Sequence, residues 1–230
     1  MTCAALITAA GYGTRMGADR PKQFLDLAGA PLVVWTLLAF QRHPLIDLIV
    51  LTAPPGTEEL CRSQIVAPYN LSKVKGIVPG GETRQQSVLN GLETLEHTEI
   101  VAIHDGARPL VSSEVIAGSI EAAKVVGAAL ACAPVRDTVK KRKGLHLSTV
   151  SRSDLWLAHT PQTFRTELIL EAHRRAKTDG YEATDDASLV ERLGAPVEII
   201  EDSTYNIKIT TPEDLRLAEL LMGKPALTSP

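Results

Sequence analysis

Two short segments carry most of the chemistry legible in this sequence. The first is Ala9–Lys22, AAGYGTRMGADRPK. Gly11, Gly13 and Gly17 let the backbone approach a ligand closely and turn N–H groups toward anionic oxygens. Arg15, Arg20 and Lys22 add three cations within eight residues. Fixed cations stabilise a crowded phosphorus centre that gathers negative charge as it reacts, so the loop points to phosphate chemistry. The second segment is His104-Asp105-Gly106-Ala107-Arg108-Pro109, at the end of an apolar run. Asp105 there could orient Mg²⁺ or accept a hydrogen bond from a substrate hydroxyl. His104 does not make a metal pair with it, because adjacent strand residues face opposite ways, and it is read as structural.

Other stations are weaker alone. Gly80-Gly81-Glu82-Thr83-Arg84-Gln85-Gln86-Ser87 opens a helix. A glycine pair can approach a flat base, and Ser87 can reach a ribose or phosphate; the alternative is an ordinary loop whose Glu82 favours the helix dipole. Arg136-Asp137-Thr138, Arg152 and Thr160-Pro161-Gln162 bracket a polar stretch, and arginine is shaped to grip a phosphomonoester bidentately. The KKRK run at 140–143 is read as a solvated cluster that discourages edge pairing. Lys208 fits either a surface or a site. Two familiar phosphate binders are excluded. A dinucleotide fold needs G-x-G-x-x-G with an acid closing the second strand, which here ends Leu51-Thr52-Ala53-Pro54, and a P-loop needs G-K-[ST].

Short apolar runs alternating with helical segments position these stations. Strands are predicted at Ala4–Ala10, Asp47–Thr52, Val74–Val78, Ile100–His104, Ala128–Val135 and Val197–Glu201. Helices are predicted at Leu32–Arg42, Thr57–Ile65, Glu82–Leu95, Ser113–Val126, Thr166–Ala176, Asp185–Leu193 and Pro212–Met222. Continuously apolar strands imply a sheet covered on both faces, and right-handed crossovers make it an α/β, doubly wound, mostly parallel sheet. Ligands then bind at the carboxyl ends of its strands. Residues 137–160 break the pattern: polar, partly alternating, with Gly144 placed for a hairpin turn. They are read as a projecting β-arm on a body formed by 1–136 and 161–222, with 223–230 as a frayed tail. A lone two-stranded ribbon is marginal in water, so the arm is expected to pack on a second subunit.

Composition sets the limits. At 230 residues and a net charge of -3, nothing global favours nucleic acid, and any phosphate must be held by local cations. Cys3, Cys61 and Cys132 are odd in number and far apart, which fits reduced thiols in a cytoplasmic protein. No apolar run approaches the ~20 residues of a spanning helix, and no leader is read at the start.

Taken in order, AAGYGTRMG, PKQFLDLAG, GGETRQQSVLNGL, HDGARP, PVRDTVK, HTPQTF, TDDAS and NIKITTPEDL resemble the 2-C-methyl-D-erythritol 4-phosphate cytidylyltransferase family from about Ala4 to Leu221. The resemblance implies a Rossmann-like homodimer with swapped-in arms, dependent on Mg²⁺ held mainly by the triphosphate with Asp105 nearby. It implies that Arg15 and Lys22 stabilise the transition state, and that Arg152 and Lys208 position the incoming phosphate. Ala9, Ala10, Gly11, Tyr12, Gly13, Gly81, Glu82 and Ser87 would line the CTP pocket. Asp105, Gly106, Arg108, Thr138, Thr160 and Thr184 would contact the polyol phosphate, some of them from the neighbouring subunit. Thr8 stands where proline is common, and Gly106 where alanine is frequent. A pentitol phosphate such as ribitol 5-phosphate is the alternative acceptor, since the two differ by little more than a methyl branch and hydroxyl placement.

Overall fold

The first strand, β1 (Cys3–Thr8), shows how the layers form. Cys3, Ala5 and Ile7 face one apolar cluster, while Ala4 and Leu6 face another. A strand buried on both sides needs helices on both sides. The computed structural model describes residues 1–11 and 24–223. After β1 come a small hairpin of β2 (Asp26–Leu27) and β3 (Ala30–Pro31), then α1 (Leu32–Arg42) and β4 (Leu48–Ala53). Next are α2 (Glu58–Cys61), which runs into a π-helical turn at Arg62–Val66, β5 (Val74–Pro79), α3 (Arg84–Glu93), β6 (Ile100–Asp105), α4 (Ser113–Val126) and β7 (Ala128–Pro134). The chain continues through β8 (Val139–Lys143), β9 (His146–Val150), β10 (Trp156–Arg165), α5 (Thr166–Thr178), α6 (Asp186–Arg192), β11 (Glu198–Glu201) and α7 (Pro212–Met222).

The central sheet has seven strands in the order β11-β7-β10-β6-β1-β4-β5. Four of its pairings are parallel, and β10 runs antiparallel to both neighbours, β6 and β7. Helices α1, α4 and α7 contribute buried side chains to one face, and α3, α5 and α6 to the other. Local signals fix the helix ends. The Ser112 hydroxyl accepts from Val115 N–H at the start of α4, and Thr211 with Asp214 forms a capping box before Pro212 of α7. Such caps contribute about 1 kcal/mol each, which is why those starts are readable from residue types.

The doubly wound, mostly parallel sheet is as expected. The arm differs in extent. Residues 137–160 are expected to project, but the hairpin comprises β8 and β9 alone, with Gly144 (φ +60°) in its turn. Trp156, Leu157 and Ala158 already pair with Pro134, Ala133 and Cys132 of β7. The physical reason is that β10 completes the gap between β6 and β7, which would otherwise leave two unpaired internal edges. The register of β10 shifts between Ala158 and Gln162, around a cis Thr160–Pro161 peptide. No helix among the described residues is long and apolar enough to cross a membrane. The three cysteines are free and buried, and burial pushes the Cys3 thiol up to about 12 and the Cys132 thiol up to about 11. They remain protonated and chemically quiet.

Candidate active site

Four neighbouring strands, β5, β4, β1 and β6, deliver their carboxyl ends to one side of the sheet, and a cleft of about 730 Å³ opens there. Its floor is the end of β1 with Ala9, Ala10 and Gly11. One wall is the loop from Gly80 into α3. A methyl group on Gly80 would sit 2.1 Å from the Ala10 Cβ, so this glycine lets the two loops close on each other. Thr83 caps α3 by accepting from Gln86 N–H, and Ser87 Oγ accepts from Gly81 N–H at 3.0 Å while donating to the Thr83 carbonyl at 2.9 Å. The glycine pair is therefore held rigidly, its backbone turned to the cleft.

Opposite lies Asp105, the last residue of β6, 6% exposed and in contact with three cations. Lys208 Nζ lies 2.8 Å from its Oδ2, Arg84 Nε 3.4 Å from its Oδ1, and Arg108 Nε 3.6 Å from its Oδ2. Burial alone opposes the charge, but Arg84, Lys208 and Arg108 outweigh it and hold the carboxyl well below the usual carboxylate range. A buried carboxylate left alone would cost several kcal/mol, so the cations are a condition of its position. Arg84 also donates through Nη2 to Asp186 Oδ2 at 2.7 Å, and these carboxylates raise its pKa despite burial.

His104 lies on the other face of β6, fully buried, its ring 5.0 Å from that of Phe40. One ring nitrogen, Nε2, faces the Arg108 carbonyl at 3.0 Å and so carries the proton; Nδ1 then accepts from the Thr160 hydroxyl at 3.0 Å. The same hydroxyl accepts from Asp105 N–H at 3.1 Å. Desolvation lowers the His104 pKa to about 4, so the ring is neutral at ordinary pH. The expectation that His104 is structural agrees with this geometry, and its structural task is to fix the strand end that presents Asp105.

The cleft brings together many of the expected residues: Ala9, Ala10, Gly11, Gly81, Glu82 and Ser87 on one side, and Asp105, Gly106 and Lys208 facing them. Thr160 and Arg108 stand behind this surface instead. Both are buried; Thr160 supports Asp105, and Arg108 donates to the Asn206 carbonyl. Thr138, Arg152 and Thr184 are exposed and do not line the cleft of a single chain. Tyr12, Gly13, Arg15, Arg20 and Lys22 lie outside the described residues. A Cβ on Gly106 would meet the Thr8 carbonyl at 3.0 Å and Ala9 Cβ at 3.2 Å, so a side chain there would press on the cleft floor. Sequence reasoning gave no role to Arg84, although it stands inside the GGETRQQS segment, nor to Asp186, Asp202 or Asn206. Asp202 accepts from Asn206 Nδ2 at 2.6 Å and pairs with His159 at 2.9 Å, pinning the loop that carries Lys208. The signal available was that Arg84, Asp186 and Asn206 fall in the GGETRQQSVLNGL, TDDAS and NIKITTPEDL segments that carry the resemblance; Asp202 falls in none of them.

The family model described as 2-C-methyl-D-erythritol 4-phosphate cytidylyltransferase matches residues 3–224. The chain belongs to this family. Its relatives include the 2-C-methyl-D-erythritol 4-phosphate cytidylyltransferase of Syntrophus aciditrophicus, 49% identical over 96% of this chain and 95% of that one. The protein of the same name from Pelotomaculum thermopropionicum is 50% identical over 95% of this chain and 93% of that one. Among solved structures, the Thermus thermophilus 2-C-methyl-D-erythritol 4-phosphate cytidylyltransferase superposes with a TM-score of 0.78 at 39% identity, covering 94% of this chain and 96% of the other. The 4-diphosphocytidyl-2C-methyl-D-erythritol synthase of Anaerococcus prevotii gives 0.85 at 30% identity, covering 96% of both. The likeness spans both walls of the cleft.

Proposed function

We propose that this cytidylyltransferase moves CMP from CTP to 2-C-methyl-D-erythritol 4-phosphate, giving 4-diphosphocytidyl-2-C-methyl-D-erythritol and pyrophosphate in the non-mevalonate isoprenoid pathway. The observation that carries the reading is the cleft itself: a rigid glycine wall faces a buried carboxylate ringed by cations, in a chain of this family. A phosphate oxygen of the acceptor attacks the α-phosphorus of CTP; as that bond forms, the bond from the α-phosphorus to the bridging oxygen of the β-phosphate breaks and pyrophosphate leaves. The nucleophile is already anionic, so no covalent enzyme intermediate is required, and catalysis consists of positioning plus stabilisation of charge.

Ala9, Ala10, Gly11, Gly81, Glu82 and Ser87, together with Tyr12 and Gly13, take the nucleotide, recognising cytosine mainly through backbone groups. Lys208 directs the acceptor phosphate, Asp105 and Gly106 border it, and Arg15 and Lys22 stabilise the transition state. No group of three or more His, Cys, Asp or Glu forms a metal cage among the described residues. The reading includes Mg²⁺ held mainly by the triphosphate, with Asp105 nearby; the ion would neutralise phosphate charge. Thr138 and Arg152, which flank the hairpin and do not line the cleft of their own chain, would reach an acceptor from a second copy, so the reading includes a homodimer in which the β8–β9 hairpin lies on that copy; Thr184 stands two residues before Asp186 and contacts the acceptor from its own chain. The setting is cytoplasmic, in keeping with three free thiols.

Pyrophosphate release by purified protein with CTP tests the reading, comparing 2-C-methyl-D-erythritol 4-phosphate with ribitol 5-phosphate and CTP with UTP. Turnover should be fastest with CTP and the branched acceptor. Faster turnover with ribitol 5-phosphate would transfer the assignment to a pentitol phosphate, and CTP binding with no pyrophosphate would make the protein a nucleotide sensor.

A further inference from the structure

Arg84 is the first residue of α3, where a helix dipole disfavours a cation. Something must hold it there, and two carboxylates do. Its Nε faces Asp105 at 3.4 Å and its Nη2 donates to Asp186 at 2.7 Å. Asp186 opens α6, is 1% exposed, and lies 102 residues away in sequence. Its remaining oxygen, Oδ1, accepts from His173 Nε2 of α5 at 3.2 Å, and His173 is fully buried. The backbone of Asp186 is fixed too: its N–H and that of Ala187 both donate to Gln162 Oε1, at 3.0 and 2.9 Å. An ionised group so deeply buried and so fully bonded serves its partner more than the helix it opens.

The result is a chain of alternating charge, Lys208–Asp105–Arg84–Asp186, running from the cleft into the layer of α5 and α6, where a hydrogen bond from His173 closes it. Arg84 and Lys208 take different oxygens of Asp105. Held by Asp186, Arg84 can spend only one edge of its guanidinium on Asp105, leaving the other oxygen to Lys208. Released from Asp186, the fork could close on Asp105 with both edges and displace Lys208 from it.

We propose that Asp186, backed by His173, is a positioning residue for the transfer reaction, acting through Arg84 to set the orientation of Asp105 and Lys208. This rests on the cytidylyl-transfer reading, and the parent protein's turnover with CTP and 2-C-methyl-D-erythritol 4-phosphate tests that reading separately. A double-mutant cycle tests the positioning role. Asp186→Asn keeps the shape and an acceptor for His173 but removes the charge that holds Arg84. It should lower kcat/KM about 10-fold, mostly in kcat, in the parent background. In an Arg84→Met background the same change should cost less than about 2-fold, because its only route to the site is gone. An equal loss in both backgrounds would make Asp186 a structural residue of α6, and no loss in the parent would also overturn the proposal. Arg84→Lys decides the matter if Asp186→Asn does not fold. It keeps the charge but not the two-edged reach, and should lose about 10-fold in kcat while staying folded at the assay temperature. Turnover within about 2-fold of the parent would refute the role.

Discussion

The cleft and the β8–β9 hairpin hold the same kinds of residue under opposite conditions. At the cleft, Arg84 and Lys208, with Arg108 buried behind them, each meet a carboxylate, and the helices and strands around them fix where each charge points. On the hairpin, Lys140 bonds Thr149 across the strands and Arg142 bonds the Gly144 carbonyl, while Leu145 and Leu147 stand 94% and 68% exposed. A charge can stabilise a transition state without reorganisation only if it is already oriented. The cleft satisfies that condition within one chain. The hairpin is apolar at its tip and exposed along its length, and the proposed homodimer would give it a second copy to lie on.

The largest expected effect sharpens this contrast. Lys208→Ala and Arg152→Ala should each lower kcat/KM by about 10²–10³, corresponding to ~3–4 kcal/mol of lost charge stabilisation. Their stabilities should differ. Arg152 is exposed, so its loss should shift unfolding by no more than about 0.5 kcal/mol. Lys208 covers buried Asp105, so its loss should lower the melting temperature as well. Activity assays paired with thermal melts check both, and a fully active Arg152→Ala would remove the hairpin's base from the site.

A smaller effect concerns acid stability. The His104 pKa is about 4 in the folded chain against 6.5 in the unfolded one, so the unfolded chain takes its proton first as pH falls. Stability should therefore be flat above pH ~6.5 and fall toward pH ~4, by about 3 kcal/mol from this residue. Asp105, held below its ordinary value, adds a loss of the same sign at still lower pH. Urea unfolding at pH 7.5 and 4.5 should show a markedly smaller drop for His104→Gln than for the parent; equal drops would contradict a His104 held neutral by burial.

The smallest effect is expected at the hairpin's charges. Replacing Lys140, Lys141 and Lys143 with glutamine should change kcat/KM by less than about 2-fold and stability by less than about 0.5 kcal/mol. A large loss would mean that the run touches substrate.

What could be read from the sequence follows the range of the interactions. Leu32–Arg42, Ser113–Val126 and Pro212–Met222 have the bounds expected, because apolar spacing and, for the last two, adjacent caps act over a few residues. The Trp156–Arg165 strand is legible only in part: Trp156–Thr160 reads as the end of the arm and 161–165 carries no expected element, and only its place between β6 and β7 makes the whole a strand of the central sheet. The glycine wall and Asp105 were legible as motifs at predicted strand and helix ends. The Arg84–Asp186 pair was not, since nothing local joins residues so far apart; only the folding of α6 against the start of α3 brings them together.

The central claim is that cations from distant segments, one of them from the second copy, converge on one phosphorus, and subunit mixing tests it most directly. Inactive Lys208→Ala and Arg152→Ala proteins are unfolded together, refolded, and assayed with CTP and 2-C-methyl-D-erythritol 4-phosphate. If Arg152 serves the neighbouring chain's site, each mixed dimer regains one intact site and the mixture recovers about a quarter of the parent activity. Recovery no greater than the sum of the two variants would contradict the account.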